Sequence, residues 1–212
     1  STQFVRVIAR PPNRNMSPEE IVRGFLDACA DPSENYGIAR QYLAFESAES
    51  WNPLTGIEIY ESSTIKVVGD STDLTVAASK LGTISDTGRY KSGDPGDQIS
   101  KSFELAKDPG GQWRISNLSD GILLSSGDVD RSFRSFPIYF FNTDLTSLIT
   151  DSLLVPVSNS GAATSLVRSL LDGPTPYLSP VATTAFPVGT TLTYGSVPIL
   201  NGIAQVDLSK EI

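Results

Sequence analysis

Apolar positions along this chain follow a helical spacing first, a two-residue alternation next and continuous runs last, and these changes of period outline its architecture. Ile21, Val22, Phe25, Leu26 and Cys29 share one face of a 3.6-residue period. Ser17-Pro18-Glu19-Glu20 ahead of them has the grammar of a helix start: serine as N-cap, proline at the first helical position, and a glutamate three residues after the cap to complete a capping box. A weaker helical pattern runs from Tyr36 to Phe45 through Ala39, Tyr42 and Leu43, after Asp31-Pro32-Ser33, and leads to Trp51. From Ile57 the period drops to two. Ile65 and Val67, Leu74, Val76 and Ala78, Phe103 and Leu105, then Trp113 and Ile115 alternate with polar neighbours, as half-buried strands do. Asp108-Pro109-Gly110-Gly111 predicts the hairpin turn between the last two. Helices followed by an antiparallel sheet predict an α+β unit with the helices on one face and apolar side chains at the inward strand positions.

Beyond Ser135 the pattern changes again. Pro137-Ile138-Tyr139-Phe140-Phe141 and Leu153-Leu154-Val155-Pro156-Val157 are continuous apolar runs of the kind that form buried strands. A helix follows, with Leu166, Val167, Leu170 and Leu171 on one face, and it stops at Asp172-Gly173-Pro174. Glycine takes the left-handed position that closes a helix, and proline lacks the donor needed to continue one. Leu192, Tyr194, Ile203, Val206 and Leu208 then flank Asn201-Gly202, a type I′ turn pair. This predicts a second α+β unit, with Asp207-Leu208-Ser209 leading into a further element and more of the domain following.

Charge sharpens the boundary between the two. Residues 135–212 carry Arg168 and Lys210 against Asp144, Asp151, Asp172, Asp207 and Glu211, and the other charged residues lie ahead of them. We therefore expect an extended lead-in over residues 1–16, where Pro11-Pro12 favours polyproline II geometry, a first module over 17–134 and a second over 135–212. A net charge of −8 and a pI near 4.5 leave no basic footprint for nucleic acid and disfavour an anionic membrane surface. No apolar run approaches the roughly 18 residues that span a bilayer.

Candidate chemistry is sparse. Histidine is absent, which removes the usual general base, the usual triad member and the commonest zinc ligand. Cys29, the only cysteine, lies on the apolar face of the first helix and reads as a small buried hydrophobe. Asp70-Ser71-Thr72-Asp73 and Asp128-Val129-Asp130 lack the further oxygen ligands of a calcium loop and read as solvated turns. Gly93-Asp94-Pro95-Gly96 and Gly110-Gly111 lack the spacing of a phosphate cradle. No catalytic residue, metal site or cofactor is expected. Phe25, Tyr42, Trp51, Tyr60 and Trp113 are the candidate binding residues, as the lining of a cleft between helices and a curved sheet.

The order of elements in the second module carries a resemblance. Tyr139-Phe140-Phe141, Val155-Pro156-Val157, the helix ending in Leu170-Leu171-Asp172-Gly173-Pro174-Thr175-Pro176, the step Phe186-Pro187-Val188-Gly189-Thr190-Thr191-Leu192 and Val206-Asp207-Leu208-Ser209 together resemble the GerMN domain of spore-germination and other extracytoplasmic proteins. In the first module, Ile21 to Ala30, Ala39-Arg40-Gln41-Tyr42-Leu43, Ser50-Trp51-Asn52-Pro53, Gln112-Trp113-Arg114-Ile115 and Asp120-Gly121-Ile122 resemble the N-terminal region of the LpqB lipoproteins of actinobacteria. The resemblance implies a cone-shaped first module like nuclear transport factor 2 (NTF2-like) and a second GerMN module that is incomplete here. It also implies a lipidated cysteine upstream, a β-propeller downstream and a place on the outer face of the cytoplasmic membrane. The role it implies is non-enzymatic: an accessory partner of the extracytoplasmic domain of a sensor histidine kinase, in a two-component system of the MtrAB type. The rival expectation is a module that binds a cell-wall fragment or a lipid, through the aromatic cleft or the GerMN domain.

Overall fold

The structure, a computed structural model, describes residues 9–156 and 161–210. Most of the lead-in, Val157 and Glu211 lie outside the described residues. The chain divides into two compact units, one of residues 1–86 and 91–132, the other of Thr87–Tyr90 and Phe133–Ile212.

The first unit opens with helix α1 (Pro18–Ala28), and both halves of the expected capping box form. Ser17 Oγ accepts from the Glu20 amide at 3.3 Å, and the Ser17 amide donates to Glu20 Oε2 at 2.7 Å. Helix α2 (Ser33–Arg40) departs from the expected helix over 36–45. Glu34, Asn35 and Tyr36 hold φ of 53°, 55° and 59°, a left-handed turn after Pro32, so the right-handed helix starts late and ends by Arg40. A separate short helix, α3 (Phe45–Ser50), follows. Seven strands then form β1 (Gly56–Tyr60), β2 (Lys66–Gly69), β3 (Asp73–Ser85), β4 (Tyr90–Ser92), β5 (Gln98–Lys107), β6 (Trp113–Asn117) and β7 (Ile122–Ser125), with helix α4 (Ser126–Ser132) after them.

The sheet runs β6-β5-β3-β1-β7, with β2 and β4 also paired to β3. It is mixed where an antiparallel sheet was expected, because β1 and β7 pair in parallel. They are far apart in sequence, so no hairpin constrains their direction. The turn at 108–111 forms as predicted: Asp108 Oδ1 accepts from the amides of Gly110 and Gln112, and the Gly111 amide donates to the Asp108 carbonyl. Phe25 and Leu26 of α1 are buried together with Trp51, Phe103 and Leu105. The rings of Phe25 and Trp51 meet edge to face at 5.2 Å, and those of Phe25 and Phe103 at 6.0 Å, a geometry that adds to the area they bury.

In the second unit β8 (Phe133–Asn142) and β9 (Leu148–Pro156) form a long antiparallel pair, and β10 (Ala182–Thr183) flanks β8. The apolar run in β8 does not make a doubly buried strand: Ile138 and Phe140 are buried, whereas Tyr139 and Phe141 are exposed. Among the described residues one face of this small sheet is covered by α5 (Ala162–Leu171), whose Leu166 and Leu170 pack with Ile138, Phe140 and Ala182. Helix α5 ends as its sequence predicts, on Gly173 at φ 82° followed by Pro174. A separate hairpin, β11 (Ile199–Leu200) with β12 (Ile203–Ala204), turns through Asn201 and Gly202 at φ 54° and 78°, the two positive values a type I′ turn requires.

Arg89 anchors this unit. Its guanidinium is nearly buried, pairs with Asp151 at 2.5 Å, donates to the carbonyls of Ser169 and Gly173, and lies 5.4 Å from the centre of the Phe140 ring. The end of α5 is thereby fastened to β9, with the last helical carbonyls satisfied by a cation, the favourable charge for a helix C-terminus.

Candidate functional site

A cavity of about 280 Å³ opens into the first unit. Its apolar wall comes from Phe25 and Leu26 of α1, Phe103 of β5 and Ile57 of β1, and its floor from the loop between β6 and β7. Two irregularities shape it. Opposite β1, the register on β3 jumps from Gly82 to Lys80 between Ile59 and Tyr60, which leaves Leu81 as an extra residue; such a bulge bends a strand and re-aims its side chains. At the floor, Gly121 sits at φ 81°, and a Cβ there would meet the Gly56 carbonyl oxygen at 2.8 Å, so only glycine fits. The floor loop is fixed from three sides: Asp120 Oδ1 accepts from the Asn52 amide, the Gly121 amide donates to the Asn52 carbonyl, and Trp51 Nε1 donates to the Gly121 carbonyl.

One end of the cavity is polar, which the sequence reading of inward apolar strand positions did not anticipate. Lys101 occupies the buried register of β5 between Ile99 and Phe103, and its Nζ lies 3.1 Å from Glu58 Oε1. Lys80 Nζ approaches the other oxygen of the same carboxylate at 3.9 Å. Each of these side chains is about three-quarters withdrawn from solvent. Thr55, Thr83, Ser119 and Asp120 complete the polar lining.

Of the five aromatic residues singled out from the sequence, Phe25 alone lines this cavity. Trp51 is packed behind it against Phe25 and Tyr36. Tyr42 is buried, with its hydroxyl donating to the Arg10 carbonyl, and this bond pins the end of the lead-in. Tyr60 is buried, and loss of solvent pushes its phenol up to about 12. Trp113 is elsewhere, on β6, with Lys107 Nζ 5.1 Å from its ring centre. Glu58 and Lys101 escaped the sequence reading because single charges among polar neighbours carry no signal until strand register assigns them a face.

The remaining candidates have local structural roles. Asp70 Oδ1 accepts from the amides of Thr72 and Asp73, which holds its carboxyl below the usual range in a tight turn. Ser125 caps α4, its hydroxyl accepting from the Asp128 amide and donating to the Asp128 carboxylate, which also pairs with Arg131. Cys29 is buried, and desolvation drives its thiol far above the ordinary range, the opposite of a reactive thiolate. Among the described residues no group of three or more potential ligands is placed to hold a metal ion, and no helix is long and apolar enough to cross a membrane.

The second unit carries many exposed apolar side chains. Tyr177, Val188, Tyr194, Ile199, Leu200, Ile203 and Val206 are all exposed, Val188 completely. Four of these lie in or beside the β11–β12 hairpin, where Leu200 and Ile203 face each other across the ladder.

Comparison with known proteins places both units. The family described as "Lipoprotein LpqB, N-terminal domain" matches residues 11–130. The chain belongs to the LpqB lipoprotein family. A second family, described as "Sporulation and spore germination", matches residues 137–212. Among curated relatives, Lipoprotein LpqB of Thermobifida fusca is 37% identical over 202 residues, covering 90% of this chain. The proteins of that name from Streptomyces avermitilis and Cutibacterium acnes are 31% and 30% identical, over 90% and 98% of the chain. The chain spans about a third of the length of these relatives, 32%, 33% and 34% respectively. No solved structure matches it. The α+β architecture, helices over a curled mixed sheet followed by a second α+β unit, is the one the family resemblance implied.

Proposed function

We propose that this chain is a non-enzymatic part of an envelope lipoprotein, held on the outer face of the cytoplasmic membrane, that acts as an accessory partner of the extracytoplasmic domain of a sensor kinase. Membership of a lipoprotein family supports the location. The observation that carries the partner role is the exposed apolar surface of the second unit, around Leu200 and Ile203. Apolar side chains paired in the open, as Leu200 and Ile203 are across the hairpin ladder, suit an interaction surface, because leaving them in water forgoes the burial energy that a partner restores.

The test is a calorimetric titration of this chain with the purified extracytoplasmic domain of the cognate kinase at two salt concentrations. We expect saturable binding that changes little with salt, since apolar contacts are not screened. The double variant L200S/I203S is expected to weaken it by at least about tenfold, as loss of central apolar contacts does. Absence of saturable binding, or unchanged affinity in the double variant, would remove the proposal.

A further inference from the structure

The cavity of the first unit contains an arrangement that stability does not call for. On an inward strand face occupied by Leu74, Val76, Ile99, Phe103 and Leu105, Lys101 is a cation where an aliphatic side chain would serve, and Glu58 is the anion that compensates it. Replacing such a withdrawn ion pair by apolar residues of similar volume is commonly neutral or stabilising, because the attraction between the charges does no more than offset their lost hydration. A polar pair kept at such a position, facing an open cavity whose wall also presents Phe25, Phe103 and Ile57, has the character of a recognition site.

From this geometry we infer that the cavity binds a small uncharged amphipathic ligand bearing an amide group. The apolar part seats against Phe25, Phe103 and Ile57, and the amide spans the Glu58–Lys101 pair, its carbonyl accepting from Lys101 and its N–H donating to Glu58. Charge selects this class. An anionic ligand competes with Glu58 for Lys101 and faces the Asp120 carboxylate; a cationic one competes with Lys101 and Lys80 for Glu58. A primary amide presents an acceptor and a donor side by side, whereas a trans secondary amide holds them on opposite sides, so the primary amide is the form that joins the pair without displacing either partner. The volume of about 280 Å³ sets the size, near the lower end of small-molecule sites. This inference is independent of the kinase reading, which rests on the second unit.

The probe is 3-phenylpropanamide, with the near-isosteric 3-phenylpropanoate and 3-phenylpropylamine as charged controls, each titrated into isotope-labelled protein and followed by amide NMR. Saturable shifts confined to residues around the cavity, among them Gly56, Lys101 and Gly121, are expected for 3-phenylpropanamide, with both controls weaker by about tenfold or more. E58Q and K101M should each erase that discrimination, and S119W, at the exposed floor loop, should block the cavity to all three. The double variant E58L/K101M should be at least as stable to urea as the parent while losing amide binding, an outcome a purely structural ion pair cannot give. The inference fails if shifts are absent at millimolar ligand, if they map outside the cavity, if the charged controls bind equally well, or if the double variant unfolds more readily than the parent.

Discussion

The two units use similar apolar residue types in opposite ways. The first encloses Ile21, Val22, Phe25, Trp51, Val76 and Ile115 almost completely, between helices and a curled sheet. The second buries Ile138, Phe140, Leu153 and Val155 on one face of a three-stranded sheet, while Val188, Tyr194, Leu200 and Ile203 stay in water. One unit therefore draws its stability chiefly from apolar burial. The other, with a thinner core, relies more on ties such as Arg89. A sheet covered on one side and a two-stranded hairpin leave apolar groups available, and two-stranded hairpins gain little stability alone. The chain thus separates a part that encloses its apolar side chains from a part that leaves many of them exposed.

That contrast can be broken most severely in the first core. Trp51→Ala removes a ring packed against Phe25 and Tyr36 and should cost about 3–5 kcal/mol, whereas Leu200→Ala, at an exposed position, should stay within about 0.5 kcal/mol. Urea unfolding read by circular dichroism checks both; comparable losses would dissolve the distinction between the units. In the second unit, Arg89→Met strands the buried Asp151 carboxylate and should cost about 3 kcal/mol or more, and adding Asp151→Leu should recover much of the loss. A double-mutant cycle measures this, and additive losses would show that the pair is not the anchor.

Alkaline pH should act on the first unit through its buried tyrosines. Desolvation raises Tyr36 and Tyr60 from 10.0 to about 12. Below pH 10 both phenols are neutral whether folded or not, so stability is fully present there. As pH rises through 10 towards 12 the unfolded chain releases these protons first, and the folded state loses ground. Both tryptophans, Trp51 and Trp113, belong to the first unit, so fluorescence-detected unfolding between pH 9 and 12 reports on it directly. An alkaline midpoint that does not move when both tyrosines are replaced by phenylalanine would refute this account. The smallest effect expected is Ser17→Ala, at about 1 kcal/mol from loss of the α1 cap, read from the same fluorescence transition. No change would show that packing alone fixes where that helix starts.

What the sequence made legible was local. The capping box at Ser17, the Asp108 turn and the stop at Gly173 each depend on residues within a turn of one another, and each formed as read. The long-range parts were not legible. The parallel pairing of β1 with β7 and the bulge at Leu81 are set by how the sheet closes, and that bulge lies beside the charges of the cavity. The five aromatic residues were read as the lining of a cleft, but nothing in their spacing separates a wall from what is packed behind it, and of the five only Phe25 lines the cavity. Arg89 carried no signal in the sequence because its carboxylate partner lies 62 residues away.

The position of Arg89 bears on inheritance. The residues that complete the second unit, Thr87–Tyr90, are encoded well upstream of the rest of it, inside the stretch that encodes the first. A recombination event joining a foreign gene segment at residue 133 would deliver the sheet, the helix and Asp151 without their arginine. In this chain the second unit is therefore carried whole only by a segment that begins ahead of Thr87.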